Sequence, residues 1–179
     1  MFEPDGSVLV HKRSIAAYQD VEFARQAQEV SGSTCCAHVR YASTGGLRVE
    51  NTHPFLQDGR LFAHNGVVTG LDLLSDKLAE ELGGPIVDLV AGDTDSERVF
   101  ALVTAYARHG RDLGHAIVEA VGWIAANLPL CALNLILTTP SDLWALRYPD
   151  THPLYVLGRP AGGSHGHRHL EHASTSRSC

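Results

Sequence analysis

Residues 121–137 are the most apolar stretch of the chain, and three polar or rigid interruptions within it, Asn127, Pro129 and Asn134, constrain the fold most. A membrane span needs about 20 consecutive apolar residues, and a proline with two amides is a poor fit to that. The stretch reads instead as a buried helix that ends near Asn127 and a buried strand that follows. Ile117, Val121 and Ile124 extend the helical spacing back to about residue 113. A second helix over residues 95–109 carries Val99, Leu102, Val103 and Tyr106, and a third over 71–82 carries Leu71, Leu74, Leu78 and Leu82 before Gly83-Gly84-Pro85 stops it. Strands are expected at 132–138 and 143–147, joined by Thr139-Pro140-Ser141-Asp142, with another at 154–157.

The first half of the chain is richer in strands. Residues 7–12 alternate like a strand after a hairpin turn at Asp5-Gly6. Residues 20–30 form a short amphipathic helix with Val21, Phe23, Ala24 and Ala27 near one face. Residues 35–42 read as a buried strand, and 61–64 as a short one closed by Asn65-Gly66. Strands, then helices, then strands again favour a layered α+β domain over a doubly wound one. The length of 179 residues suits one domain, and 44% hydrophobic against 19% charged residues excludes a disordered chain. Beyond Pro160 the composition turns to Gly, Ser, His and Arg, so 161–179 reads as a tail or truncated remainder beside a domain over 1–160. Its histidines, His165, His167, His169 and His172, read as a solvated cluster or a weak metal binder.

A net charge of −6 argues against a nucleic-acid partner. The four cysteines, Cys35, Cys36, Cys131 and Cys179, form neither a disulfide framework nor a C-x-x-C pair, so reduced thiols are expected. With no signal peptide, the reading is a cytoplasmic protein without a membrane partner.

Three segments could carry chemistry. In residues 38–45, HVRYASTG, Arg40 ends an apolar strand before a glycine turn, where it could hold a planar anion bidentately or pair with a nearby carboxylate. In residues 64–66, His-Asn-Gly is a tight turn or an oxyanion hole built from the Asn65 amide and the Gly66 N–H. In residues 92–97, GDTDSE, Thr94 and Glu97 fit a capping box, with Asp95 serving the helix dipole or turned into a pocket to hold an ammonium group. Between the first two lies Asn51-Thr52-His53-Pro54-Phe55, which could brace a substrate loop or make an Asn-initiated turn.

In order and spacing, HVRYASTG, NTHPF, HNG and GDTDSE resemble class II glutamine amidotransferases. The resemblance implies a four-layer αββα sandwich of the N-terminal-nucleophile hydrolase type, incomplete here. It implies cleavage of glutamine-like amides through a γ-glutamyl thioester. Arg40 would take the substrate α-carboxylate, with Ser43 and Thr44 lining its turn, and Asp95 the α-ammonium. Asn65 and Gly66 would form the oxyanion hole. The partner implied is glutamine or a γ-glutamyl small molecule, with either a stand-alone hydrolase or a separate synthase partner left open; no cofactor and no metal are expected. The class uses an N-terminal cysteine as nucleophile and its α-amine as base, whereas residue 2 is Phe2. Cys35 and Cys36 lie mid-chain in an apolar setting that predicts inert thiols. The chain is therefore expected to be a fragment, a truncated gene model or a decayed copy of such an enzyme, inactive as it stands, with a non-catalytic glutamine-binding remnant as the alternative.

Overall fold

The computed structural model describes residues 1–3, 5–29, 34–40, 46–82, 84 and 87–156. Its centre is a four-stranded antiparallel sheet in sequence order: β1 (Phe55–Gln57), β2 (Arg60–Val68), β3 (Leu130–Thr138) and β4 (Leu143–Tyr148). One face of this sheet carries the rows Phe55, Phe62, Leu137, Trp144 and His64, Leu135, Leu146, each formed by directly paired residues. Because side chains alternate along a strand, this register sends the rows to one side. There they meet α3 (Asp95–Arg108) and α4 (Leu113–Asn127), which pack on each other, with α3 over β1 and β2.

The helices form where the sequence marks their starts. The Thr94 hydroxyl accepts from the Glu97 N–H at 3.3 Å, and the Asp112 carboxylate accepts from the His115 N–H at 3.1 Å. Each satisfies one of the amides that a helix start leaves orphaned, an effect typically worth about 1 kcal/mol. α3 is buried over three consecutive turns. Its Phe100 stacks on Phe62 with ring centroids 4.8 Å apart and planes within 6°. Both rings are fully buried, and each contributes roughly 1.5–3 kcal/mol by leaving water.

Several expectations change. The series Leu71, Leu74, Leu78 divides into a 3-10 turn, Leu71–Leu74, and the helix α2 (Ser75–Leu82), with Leu71 and Leu78 buried. The helix α1 (Val21–Glu29) forms, but its apolar side stays open: Val21 is 83% exposed and no residue of α1 is buried. The strand expected at 7–12 reduces to a single bridge, Phe2 to Val8, around the predicted Asp5-Gly6 turn. Residues 34–40 and 154–156 are not strands. A strand needs a partner ladder, and a lone hairpin pair is marginal in water.

Asn65-Gly66 is not a turn. β2 runs straight through it, pairing Asn65 with Asn134 and Gly66 with Leu133. The hairpin turn lies earlier, at Asp58-Gly59, where both residues have positive φ (48° and 71°) and Gln57 pairs with Arg60. Asp-Gly suits that turn as well as Asn-Gly would. The Arg108 guanidinium holds it from the end of α3, with Nε and Nη2 at 2.8 and 2.6 Å from the Asp58 carboxylate. Cys35 and Cys36 are free as expected, whereas Cys131 is disulfide-bonded, which corrects the expectation of reduced thiols. Among the described residues no helix is long and apolar enough to cross a membrane.

Candidate glutamine site

The site is organised by how α3 is keyed to β2. Ser96 and Phe100 lie one helical turn apart, while His64 and Phe62 lie two apart on a strand, so both pairs share a face. The Ser96 hydroxyl is 3.0 Å from His64 Nδ1, one turn before the Phe62–Phe100 stack. At the end of β2 the register with β3 slips between Val67 and Val68. There the Val68 N–H donates to Asp95 Oδ2 at 2.8 Å. Asp95 thus does more than serve the helix dipole: its carboxylate is buried against the sheet, two strand residues beyond Gly66.

The first turn of α3 is held from the other side by Glu97. Its carboxylate accepts from the N–H groups of Ala91 and Gly92 at 3.1 and 2.7 Å. The capping box is therefore half as predicted, since Glu97 caps the preceding loop and Thr94 alone caps the helix.

Arg40 is half-buried, and its Nη1 donates to the Gly46 carbonyl at 3.2 Å. Asn51 is completely buried. Its Nδ2 donates to that same Gly46 carbonyl at 3.1 Å and to Asp93 Oδ2 at 3.4 Å, while its Oδ1 accepts from the Asp93 N–H at 2.8 Å. Ser43 and Thr44 lie outside the described residues. Asn65 is exposed and, by strand alternation, points to the face opposite His64. Gly66 has φ +154°, and a Cβ there would lie 2.0 Å from the Ala132 carbonyl oxygen and 2.8 Å from His64 Nε2. Only glycine fits this backbone approach.

A cluster of packed imidazoles was not foreseen. His38 packs on His53 with centroids 4.1 Å apart and the rings tilted by 38°, and His53 meets the edge of Phe55 at 4.7 Å. Among the described residues neither ring nitrogen of His53 has a hydrogen-bond partner, and the residue is only 6% exposed. The signal in the sequence was the position of His38, His64 and His53: two residues before Arg40, one before Asn65 and inside the NTHPF segment. Burial drives the His53 pKa down to about 2, aided by the nearby His38, His64, Lys12 and Arg40. Burial also lowers His38, and it lowers His64 against the opposing pull of the Asp95 charge.

A histidine whose folded pKa is depressed binds fewer protons folded than unfolded. Stability is complete above the unfolded value of 6.5 and falls as pH drops below it, by about 1.4 kcal/mol per pH unit for each such group. For His53 that window runs from about 6.5 down to about 2. Urea unfolding at pH 7.5 and 5 should show the loss, and His53→Phe, which keeps the ring contacts but cannot titrate, should reduce it by about one group's share. An unchanged slope in the variant would remove His53 from the account.

Cys36 is half-buried with its thiol pushed upward by burial, but Cys35 is exposed, which corrects the expectation that both are buried. Among the described residues no group of three or more His, Cys, Asp or Glu could hold a metal ion.

The family model for class-II glutamine amidotransferases matches residues 2–176. The chain belongs to this family. It is 32% identical over 164 residues to an amidophosphoribosyltransferase of Synechococcus elongatus, across 88% of this chain and 30% of that one. A glutamine–fructose-6-phosphate aminotransferase (isomerizing) of Rhizobium meliloti is 30% identical over 120 residues, across 65% of this chain and 19% of the relative. The chain thus spans well under half the length of these curated relatives. Among solved structures, a glutamine aminotransferase class-II domain protein from Silicibacter pomeroyi superposes with a TM-score of 0.53 at 21% identity, covering 76% of this chain and 60% of that one. The fold of this amidotransferase is accordingly the α+β N-terminal-nucleophile type expected from its motifs.

Proposed function

We propose that this amidotransferase domain holds glutamine or a γ-glutamyl compound by its two α-charges, the carboxylate on Arg40 and the ammonium on Asp95. Ser43 and Thr44 line the Arg40 turn in this reading. Asn65 and Gly66 donate to the oxyanion formed as a γ-glutamyl thioester is made and hydrolysed. The observation that carries it is the placement of Asp95. It is a carboxylate buried at a helix start, beside the strand that bears Asn65-Gly66, where the Val68 N–H donates to Oδ2 and a substrate ammonium would bring a charge to match. The names of the two curated relatives, both transferases, support passing the released ammonia to a synthase.

Calorimetry with L-glutamine tests the binding half. Charge-assisted hydrogen bonds are worth about 1.5–3 kcal/mol, so Arg40→Ala should weaken binding by roughly 10- to 150-fold. No heat from the unaltered protein would sink the reading.

A further inference from the structure

We infer that Asn51 is a positioning residue that sets the spacing between the two charge-binding groups of this site, Arg40 and Asp95. The inference rests on the glutamine reading above and names what holds its two halves in register.

Two parts of the chain meet on one side-chain amide: Gly46, five residues before Asn51, and Asp93, 42 residues after it. Toward the Arg40 side, Asn51 Nδ2 donates to the Gly46 carbonyl at 3.1 Å, and the Arg40 guanidinium donates to that same oxygen at 3.2 Å. Toward the Asp95 side, Asn51 Oδ1 accepts from the Asp93 N–H at 2.8 Å, two residues before Asp95 and one before the Thr94 cap of α3. A carboxamide is the one short side chain that can donate at one end and accept at the other. An aspartate would present an oxygen to the Gly46 carbonyl and to the Asp93 carboxylate, and an alanine would leave three groups without this partner.

The fit is tight from outside as well. A Cβ on Gly92 would lie 2.3 Å from Asn51 Oδ1 and 3.1 Å from Glu97 Oε2, so glycine lets the 91–93 loop close over the amide. Glu97 in turn holds the N–H groups of Ala91 and Gly92. The amide is thus clamped between a loop anchored to α3 and the carbonyl that Arg40 shares. A buried side chain with every contact directed across segments, at 0% exposure, fixes geometry and does not itself meet solvent or ligand.

The test uses calorimetry on the full chain with two ligands. L-Glutamine needs both charges gripped at once, whereas glutaramate keeps a carboxylate and the amide but has no ammonium, so it does not sense the spacing. Asn51→Ala should weaken L-glutamine about tenfold or more while leaving the weaker glutaramate affinity within about twofold. Gly92→Ala keeps every hydrogen-bonding group and presses hardest on the Asn51 amide, with a lesser contact to Glu97 Oε2, so it should show the same selective loss. It also decides the matter if Asn51→Ala fails to fold. Equal losses for both ligands would mean a merely structural role and overturn the inference. So would glutamine binding that both variants leave intact while Arg40→Ala abolishes it, which spares the glutamine reading. No glutamine binding by the unaltered protein overturns the reading and the inference together.

Discussion

Gly66→Ala is expected to lose about 3 kcal/mol or more, a large share of the roughly 5–15 kcal/mol that keeps a domain folded. Two terms add. Backbone at φ +154° is reserved for glycine, and strain of this kind costs roughly 1–3 kcal/mol. The new Cβ would also sit 2.0 Å from the Ala132 carbonyl oxygen and 2.7 Å from its carbon. His64 could swing its ring away, but the Ala132 carbonyl belongs to the central strand pair and cannot yield without breaking the ladder. Gly59→Ala provides the internal control. Its φ is +71°, yet nothing lies within 4 Å of where the new methyl would sit, so only strain of about 1–2 kcal/mol applies. Urea unfolding of both variants separates the two terms. Equal midpoints would show that the close approach of β2 to β3 at Gly66 costs nothing.

Asp95 should separate folding from binding. Asp95→Asn retains an oxygen that can accept from the Val68 N–H, so stability should change by about 1 kcal/mol or less. The negative charge is gone, and glutamine affinity should fall by at least about tenfold if that charge meets the ammonium group. Asp95→Ala removes both. It leaves the Val68 N–H without this acceptor, at a cost of about 1–3 kcal/mol, and loses binding as well. Thermal melts together with calorimetry distinguish the two variants. Full glutamine affinity in Asp95→Asn would show that Asp95 is a structural acceptor only.

The helices were legible because their signals are local. Spacing of Val99, Leu102, Val103 and Tyr106 marked α3, and Thr94 marked its start within one residue. The same holds for α4 and for the two long strands around the Thr139–Asp142 turn. The early strands were not legible in the same way. Residues 7–12 and 34–40 have strand-like patterns, but a strand exists only where a neighbour accepts its hydrogen bonds, and that partner is not encoded locally. Asn65-Gly66 shows the converse. Its dipeptide is a strong turn signal, yet β2 pairs straight through it because β3 offers a matching ladder and Asp58-Gly59 already supplies the turn.

The four motifs by themselves determined the family and named Arg40, Asn65, Gly66 and Asp95 as candidates, since each is a short string of residue types whose order survives without coordinates. What only the tertiary structure decided is how those strings meet. The Asp95 carboxylate turns onto the Val68 amide, Asn51 joins the Arg40 turn to the start of α3, and the rings of His38 and His53 pack on each other. The Val68–Asp95 bond closes over 27 residues of chain and the Asn51–Asp93 bond over 42. Hydrogen bonds and burial act over a few ångströms of space and are blind to sequence separation, so no local pattern could specify them.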